Sequence, residues 1–189
     1  METGYFSVKG GAFLPNSKGG SSGNSLQSFD SGYDAEVAVG FRPEPYAAIE
    51  IGTGFYTASG TVTDAGSRSE KTVYGIPLTA TAKAILDLDK VELFAGAGVG
   101  YYFAFIDNKI DFSNGGIAPV QESSHNSALG YHLLLGADYK VSRNFRLGAD
   151  FKWFVVETDL ELTDTSNVKR TSNWDLGGAV MNIGLKYLY

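Results

Sequence analysis

Apolar and polar residues alternate with a period of two along most of the chain, most clearly at its C-terminal end. Met181, Ile183, Leu185, Tyr187 and Tyr189 fall on one face of an extended segment. The other face carries the residues between them: Asn182, Gly184, Lys186 and Leu188. In a membrane β-barrel, lipid-facing residues are apolar and lumen-facing residues are polar or small. The C-terminal segment therefore predicts a strand of such a barrel wall.

The same alternation recurs along the chain and predicts eight strands. Their expected bounds are about 4–14, 31–42, 46–58, 72–86, 91–106, 128–140, 145–156 and 176–189. In the last strand the alternation breaks near Trp174, Asp175 and Leu176. Such a break indicates a β-bulge, or a strand end that stands clear of the membrane.

The connections between these strands alternate in length. Those around 43–45, 87–89 and 142–144 are tight, whereas those at about 15–30, 58–71, 107–127 and 157–173 are long and polar. Short periplasmic turns and long external loops are typical of outer-membrane barrels. The sequence therefore predicts an all-β fold, an eight-stranded antiparallel up-and-down transmembrane β-barrel, in a single domain that covers residues 1–189. Both termini are expected on the periplasmic side.

Aromatic residues recur on the apolar faces at a spacing of eight residues, as in Tyr131 and Tyr139 or Phe145 and Trp153. Eight steps of about 3.3 Å along a tilted strand rise about 20 Å, which approaches the apolar band of roughly 25 Å between two aromatic girdles. The predicted outer belt contains Tyr33, Phe55, Tyr74, Phe103, Tyr131 and Trp153. The predicted inner belt contains Phe6, Phe41, Tyr139, Phe145, Tyr187 and Tyr189.

Composition narrows the class of protein further. The longest uncharged apolar run, 93–106, is shorter than the roughly 18 residues of a spanning helix, which excludes a helical membrane protein. The formal net charge of -6 argues against a nucleic-acid partner. The absence of cysteine fits passage through an oxidising periplasm. Because no signal peptide is present, we expect a mature exported chain with an added start methionine.

Two features carry a resemblance to a known family. The ending, with Asn182, Gly184, Tyr187 and Tyr189, resembles the C-terminal assembly signal of outer-membrane barrels. The Gly-rich strand 94–102 resembles the wall strands of such barrels. Over essentially its full length the chain resembles the small OmpA/OmpX/OmpW-like barrels of Gram-negative bacteria. The resemblance implies a monomer in the outer membrane, in contact with lipid and lipopolysaccharide, whose C-terminal strand meets the barrel-assembly machinery. It leaves the activity open, because members include structural proteins, adhesins, narrow channels and lipid-modifying enzymes.

The lumen face is the first candidate for chemistry. An eight-stranded barrel is only wide enough for side chains to fill, so charges there should pair. The predicted lumen network consists of Lys9, Asp34, Glu36, Arg42, Glu50, Lys83, Glu92, His132, Asp138, Lys140, Arg146, Asp150, Lys152 and Lys186. We expect a plugged, charge-paired lumen without a cofactor, and a structural role or a role of the surface loops in adhesion or lipopolysaccharide contact. A narrow channel for small or hydrophobic solutes is the alternative.

The remaining motifs give weaker signals. Gly96, Gly98 and Gly100 lie within a strand, without the strand-to-helix turn that a dinucleotide site needs. His125 and Ser127 are reminiscent of lipid A deacylases, but they fall in a predicted polar loop with no identifiable acid partner, so we expect no enzyme. Two histidines and no cysteine offer no transition-metal cluster.

Two further alternatives complete the prediction. The acidic segment 157–164 is expected to be a solvated hairpin, with calcium bridging to lipopolysaccharide phosphates as the alternative. A soluble lipocalin-like ligand carrier is the competing fold, but it would need apolar residues inward and charged residues outward.

Overall fold

The computed structural model describes residues 3–16, 30–64, 67–112, 120–163, 169–175 and 177–189. These ranges form antiparallel strands with the bounds β1 Gly4–Pro15, β2 Gly32–Glu44, β3 Ala47–Asp64, β4 Ser67–Leu88, β5 Val91–Phe112, β6 Val120–Lys140, β7 Phe145–Thr163, β8 Lys169–Asp175 and β9 Gly178–Leu188. Within these ranges, no helix has the length and apolar character needed to cross a membrane.

The strands close into a barrel. Each strand from β1 to β7 pairs with the next one along the chain, and β9 pairs with both β7 and β1. Phe6, for example, lies between Val39 of β2 and Tyr187 of β9. Eight strands, β1 to β7 and β9, therefore make up the wall, which confirms the predicted fold class.

The eighth wall strand is interrupted where the alternation breaks in the sequence. Strand β8 pairs with the distal part of β7, with Glu157 opposite Asp175. The N-terminal part of β7 pairs instead with β9, with Phe154 opposite Gly178. Leu176, between the two, lies outside the described residues. Strands β7 and β8 thus form a hairpin that continues beyond the wall.

Other hairpins also extend beyond the predicted bounds, always at the end with the long connections. Strands β4 and β5 have 22 residues each, and β6 begins at Val120 instead of at about 128. The long loops predicted at 58–71, 107–127 and 157–173 are therefore wrong, because most of these residues pair as strands. Outside the membrane a strand needs no continuous apolar face, so its sequence resembles a polar loop.

The opposite end has tight turns. Strands β4 and β5 are joined through Asp89, whose φ of 62° lies in the left-handed region. Aspartate enters this region more readily than most residues, because its short side chain bonds locally. These turns set the neighbouring strands in register, from Leu88 opposite Val91 outwards.

The wall has an apolar outer face and a buried inner face. Leu129 and Ile183 on the outer face are 74% and 71% exposed, whereas His132 on the inner face is 0% exposed. All predicted belt residues lie outward, and some pack ring against ring across strands. The ring centroids of Phe145 and Tyr187 are 5.1 Å apart.

The depth of the outer face can be tested with two leucines. Leu135 lies four residues from both Tyr131 and Tyr139, whereas Leu88 lies at the end of β4 next to a turn. Both are about half exposed, at 60% and 51%. We expect Leu135→Arg to lower the free energy of unfolding by about 2–4 kcal/mol and Leu88→Arg by about 0–1 kcal/mol, since the cost depends on depth in the bilayer. Denaturant unfolding in lipid vesicles measures both costs, and equal costs would contradict the depths assigned to these two leucines.

Candidate functional site

The lumen is filled by inward side chains in successive layers. At the end with the long hairpins lies an aromatic plug, formed by Phe13, Tyr56, Tyr102 and Phe154. Charged residues fill the middle, and arginines and carboxylates line the mouth at the end with the tight turns. The layers follow from strand parity, because every second residue of each wall strand faces inward.

The rings of the aromatic plug pack directly on one another. Tyr102 stacks on Phe154 with ring centroids 5.4 Å apart and an interplanar angle of 9°. Phe13 lies 5.8 Å from Phe154 and 4.8 Å from Tyr56. All four residues are buried. These four side chains thus form an apolar layer inside this end of the lumen.

Glycines of the wall provide the space for these rings and for the ring of His132. The Tyr56 ring lies over Gly75, where an added Cβ would collide with the ring. A Cβ on Gly100 would come within 2.7 Å of the Tyr102 ring, and one on Gly98 within 2.6 Å of the His132 ring. The glycines at spacing two in β5 therefore admit bulky lumen side chains.

A chain of ion pairs crosses the middle of the lumen and is hereafter called the charge network. Lys9 Nζ lies 2.7 Å from Glu36 Oε1, 3.1 Å from Asp150 Oδ2 and 3.8 Å from Glu50 Oε1. The other oxygen of Glu36 accepts a hydrogen bond from Lys152. These side chains are all less than a tenth exposed, so each charge is neutralised inside the protein.

The network continues along one side through Glu50, which accepts a hydrogen bond from Lys83 Nζ at 2.6 Å and one from the Tyr5 hydroxyl at 2.8 Å. Lys186 pairs with Asp138, and its Nζ lies 4.9 Å from the centroid of the Tyr5 ring. Two hydrogen bonds in this group therefore converge on a single buried carboxylate.

Polar groups without a formal ion pair complete this layer. His132 Nε2 lies 2.8 Å from Thr81 Oγ1, which gives the fully buried ring a partner on β4. Asn182 Nδ2 donates to Asp34 Oδ2 at 3.0 Å. The cavity within this region measures about 20 Å³, which is close to the space that one water molecule needs.

The mouth is built around one carboxylate that two arginines share. Arg42 Nη1 lies 3.2 Å and Arg146 Nη2 3.3 Å from Glu92 Oε1. Lys140, which the sequence grouped with the lumen residues, lies at the rim and contacts Asp87 at 2.5 Å. A cavity of about 310 Å³ opens here.

Comparison with known proteins identifies the family. Residues 2–187 match the model of the outer membrane protein β-barrel domain. The chain belongs to this family. The protein is therefore an integral protein of the bacterial outer membrane, and its apolar wall faces lipid. No curated protein sequence matches the chain.

Solved outer-membrane barrels share the fold at low sequence identity. The chain is similar to Neisserial surface protein A, with 17% identity, 98% of this chain and 97% of that chain covered, and a TM-score of 0.60. OprG from Pseudomonas aeruginosa gives 12% identity, 100% and 97% coverage, and a TM-score of 0.66. Ail, the attachment invasion locus protein of Yersinia pestis, gives 17% identity, full coverage of both chains and a TM-score of 0.50.

In this outer membrane barrel, three buried aromatic side chains of the lumen, Tyr5, Phe13 and Tyr56, were not predicted from the sequence. Tyr5 and Phe13 share a face with Lys9, and Tyr56 shares one with Glu50, but the predicted lumen network contains only charged and histidine side chains. Counting every residue of the inward parity would have found them. The family and the apolar outer face both argue against the soluble lipocalin-like alternative, because a soluble barrel would need a polar outer face.

The histidine–serine pair does not lie in a loop as predicted. Both residues belong to β6, opposite Phe105 and Phe103 of β5. The Ser127 hydroxyl lies on the outer face, 2.7 Å from the hydroxyl of Tyr101. The side chains of His125 and of the acidic segment 157–164 lie outside those described. Among the described side chains, no three His, Cys, Asp or Glu residues are placed to hold a metal ion.

The charge network can be tested by a double-mutant cycle on Lys83 and Glu50. Because Lys83→Met leaves a buried carboxylate without its nearest cation, we expect it to cost about 3–5 kcal/mol of unfolding free energy. The double variant Lys83→Met/Glu50→Leu should cost clearly less. Lys140→Met at the exposed rim serves as the control and should cost about 0–1 kcal/mol. Additive effects of Lys83 and Glu50 in denaturant unfolding would contradict the coupling.

Proposed function

We propose that the lumen of this outer membrane barrel is closed, so that the protein neither passes solutes nor catalyses a reaction. It acts structurally or through its external hairpins. The observation that carries the proposal is the lumen, in which the aromatic plug and the charge network follow one another along the same path. A solute would have to displace both layers in succession.

The two layers resist opening for different reasons. The plug is held by ring packing over glycines, so moving Tyr102 requires a new place for its ring. The charge network is held by ion pairs, so separating Lys9 from Glu36 would leave buried charges without partners, at a cost of several kcal/mol. Opening one layer leaves the other in place.

The external hairpins are the proposed site of contact with other molecules. The hairpins β3–β4, β5–β6 and β7–β8 carry the chain beyond the wall, on a rigid frame of the kind that usually supports binding segments. The Yersinia pestis protein Ail, which has this fold, has been crystallised with the heparin analogue sucrose octasulfate. By analogy we assign lipopolysaccharide contact and adhesion to this end of the barrel.

The C-terminal strand β9 is the proposed contact for the barrel-assembly machinery. It closes the barrel by pairing with β1, it contains Tyr187 of the assembly signal, and Tyr189 directly follows its last residue. The Tyr189 ring lies beside Gly4 at the start of β1. A segment that completes the wall is available to another protein only until that pairing forms.

The closed lumen predicts low permeability. In liposome-swelling and planar-bilayer measurements, we expect the purified protein to behave like protein-free liposomes, with a general porin as positive control. The double variant Tyr102→Ala/Phe154→Ala should also stay near the baseline, because the charge network remains. Heat-modifiable migration on gels shows whether each sample is folded. Large, steady currents from the folded wild-type protein would favour the channel alternative.

The hairpin proposal predicts that the external segments can be shortened without loss of the barrel. Replacing residues 17–29, 113–119 and 158–174 by short Gly/Ser linkers should leave heat-modifiability unchanged and should abolish binding to vesicles that contain lipopolysaccharide. Vesicles without lipopolysaccharide are the control. Undiminished binding by the folded, trimmed barrel would place the contact elsewhere.

A further inference from the structure

The cavity at the mouth has features that the closed lumen does not explain. Its volume of about 310 Å³ falls at the lower end of the range for small-molecule sites. It is lined by Arg42, Glu44, Pro45, Asp87, Glu92, Arg143, Arg146 and Leu188. It lies at the end of the barrel opposite the external hairpins, on the periplasmic side of the membrane.

Among the described residues, three arginines and three carboxylates line this cavity, but around Glu92 two positive charges share one negative charge. The carboxylates are Glu44, Asp87 and Glu92, and Lys140 contacts Asp87. Asp87 receives two hydrogen bonds from Lys140, at 2.5 and 2.7 Å. Glu92 therefore remains as the buried carboxylate that two guanidinium groups share.

The arrangement of the two guanidinium groups leaves donors available. Arg146 is 7% exposed, and its Nε has no hydrogen-bond partner although it is buried. Arg42 uses Nη1 for Glu92 and Nη2 for the Pro45 carbonyl oxygen, at 2.9 Å. A buried N–H donor without an acceptor is costly, and a charged donor more so. A second anion beside Glu92 would remove this cost.

We propose that the mouth binds a phosphate group between Arg42 and Arg146. Guanidinium groups present several N–H donors in a fixed planar fork, which matches the oxygens of a phosphate. Pro45 and Leu188 also line the cavity, so an apolar group attached to the phosphate could pack against their side chains. The phosphate comes either from a free phosphorylated solute of the periplasm or from a phospholipid headgroup that reaches over the rim, and both sources offer the same chemistry.

The site is independent of the external hairpins and of lipopolysaccharide contact. It lies behind the charge network as seen from the outside, so a molecule bound there reaches it from the periplasm. It can bind while the lumen stays closed, which separates it from the channel alternative.

The test uses the full-length barrel in a maltoside detergent, which carries no phosphate itself. Inorganic phosphate is titrated at constant ionic strength and followed by calorimetry and by the arginine Nε–H signals in NMR. We expect a dissociation constant of about 1 mM or tighter and a shift of the Arg146 signal. A parallel titration with short-chain phosphatidylglycerol distinguishes the two sources, because a lipid site binds it in preference to inorganic phosphate.

Three variants make the test specific. Arg146→Gln should weaken binding about tenfold or more, whereas Glu92→Gln, which removes the internal competitor for both arginines, should tighten it at least about threefold. Lys90→Gln removes one positive charge from the neighbouring β4–β5 turn without touching the cavity, and it should change affinity by less than about twofold. A purely structural role of Arg146 would not make Glu92→Gln bind more tightly.

The outcomes that overturn the proposal are distinct. Failure of both phosphate compounds to bind the folded wild-type barrel would exclude the site. Equal weakening by Arg146→Gln and Lys90→Gln would show attraction to overall charge and no defined site. If Arg146→Gln does not fold, unchanged or weaker binding by Glu92→Gln has the same consequence.

Discussion

Closure of an eight-stranded wall is the constraint on which the rest of this structure depends. The pairing of β1 with β9 leaves an interior only as wide as the side chains that fill it. Every inward residue must therefore pack against inward residues of other strands. A ring needs a glycine beside it, and a lysine needs a carboxylate within reach. The layers of the lumen are solutions to this one problem of limited width.

The charge network also separates the two faces of each strand. Buried ion pairs contribute little net stability, because removing charges from water costs about as much as the pairing returns. Their effect is clearer when the native barrel is compared with one in which a strand is inserted with its lumen face toward lipid. A strand such as β1 would then present Lys9 to lipid, at about 2–4 kcal/mol near the middle of the bilayer. The network thus favours one orientation of each strand over the other.

The sequence predicted the wall because lipid imposes a strict alternation on every membrane strand. It could not predict the lengths of the hairpins, since beyond the membrane that alternation is not required, and Val120 to Ser127 therefore resembled a loop. Lys9 and Glu36 lie opposite each other on adjacent strands, so their contact follows from register. The contact between Glu36 and Lys152 crosses the lumen between residues 116 positions apart, and no period in the sequence reports it. The shared Glu92 at the mouth was equally inaccessible, because it depends on the conformations of two arginines.

The glycines beneath the rings have a consequence for how strands slide during assembly. Tyr56 meets Gly75 on β4, whereas the next inward residues on either side of Gly75 are Val73 and Pro77, both buried. A slip by two residues would keep the apolar face outward and the polar face inward, so lipid could not distinguish the slipped barrel from the native one. The slip would, however, drive the Tyr56 ring into a side chain. A steric clash inside the lumen thus disfavours a two-residue register shift that would leave the lipid-facing surface apolar. Packing in the lumen therefore fixes the shear number of the barrel.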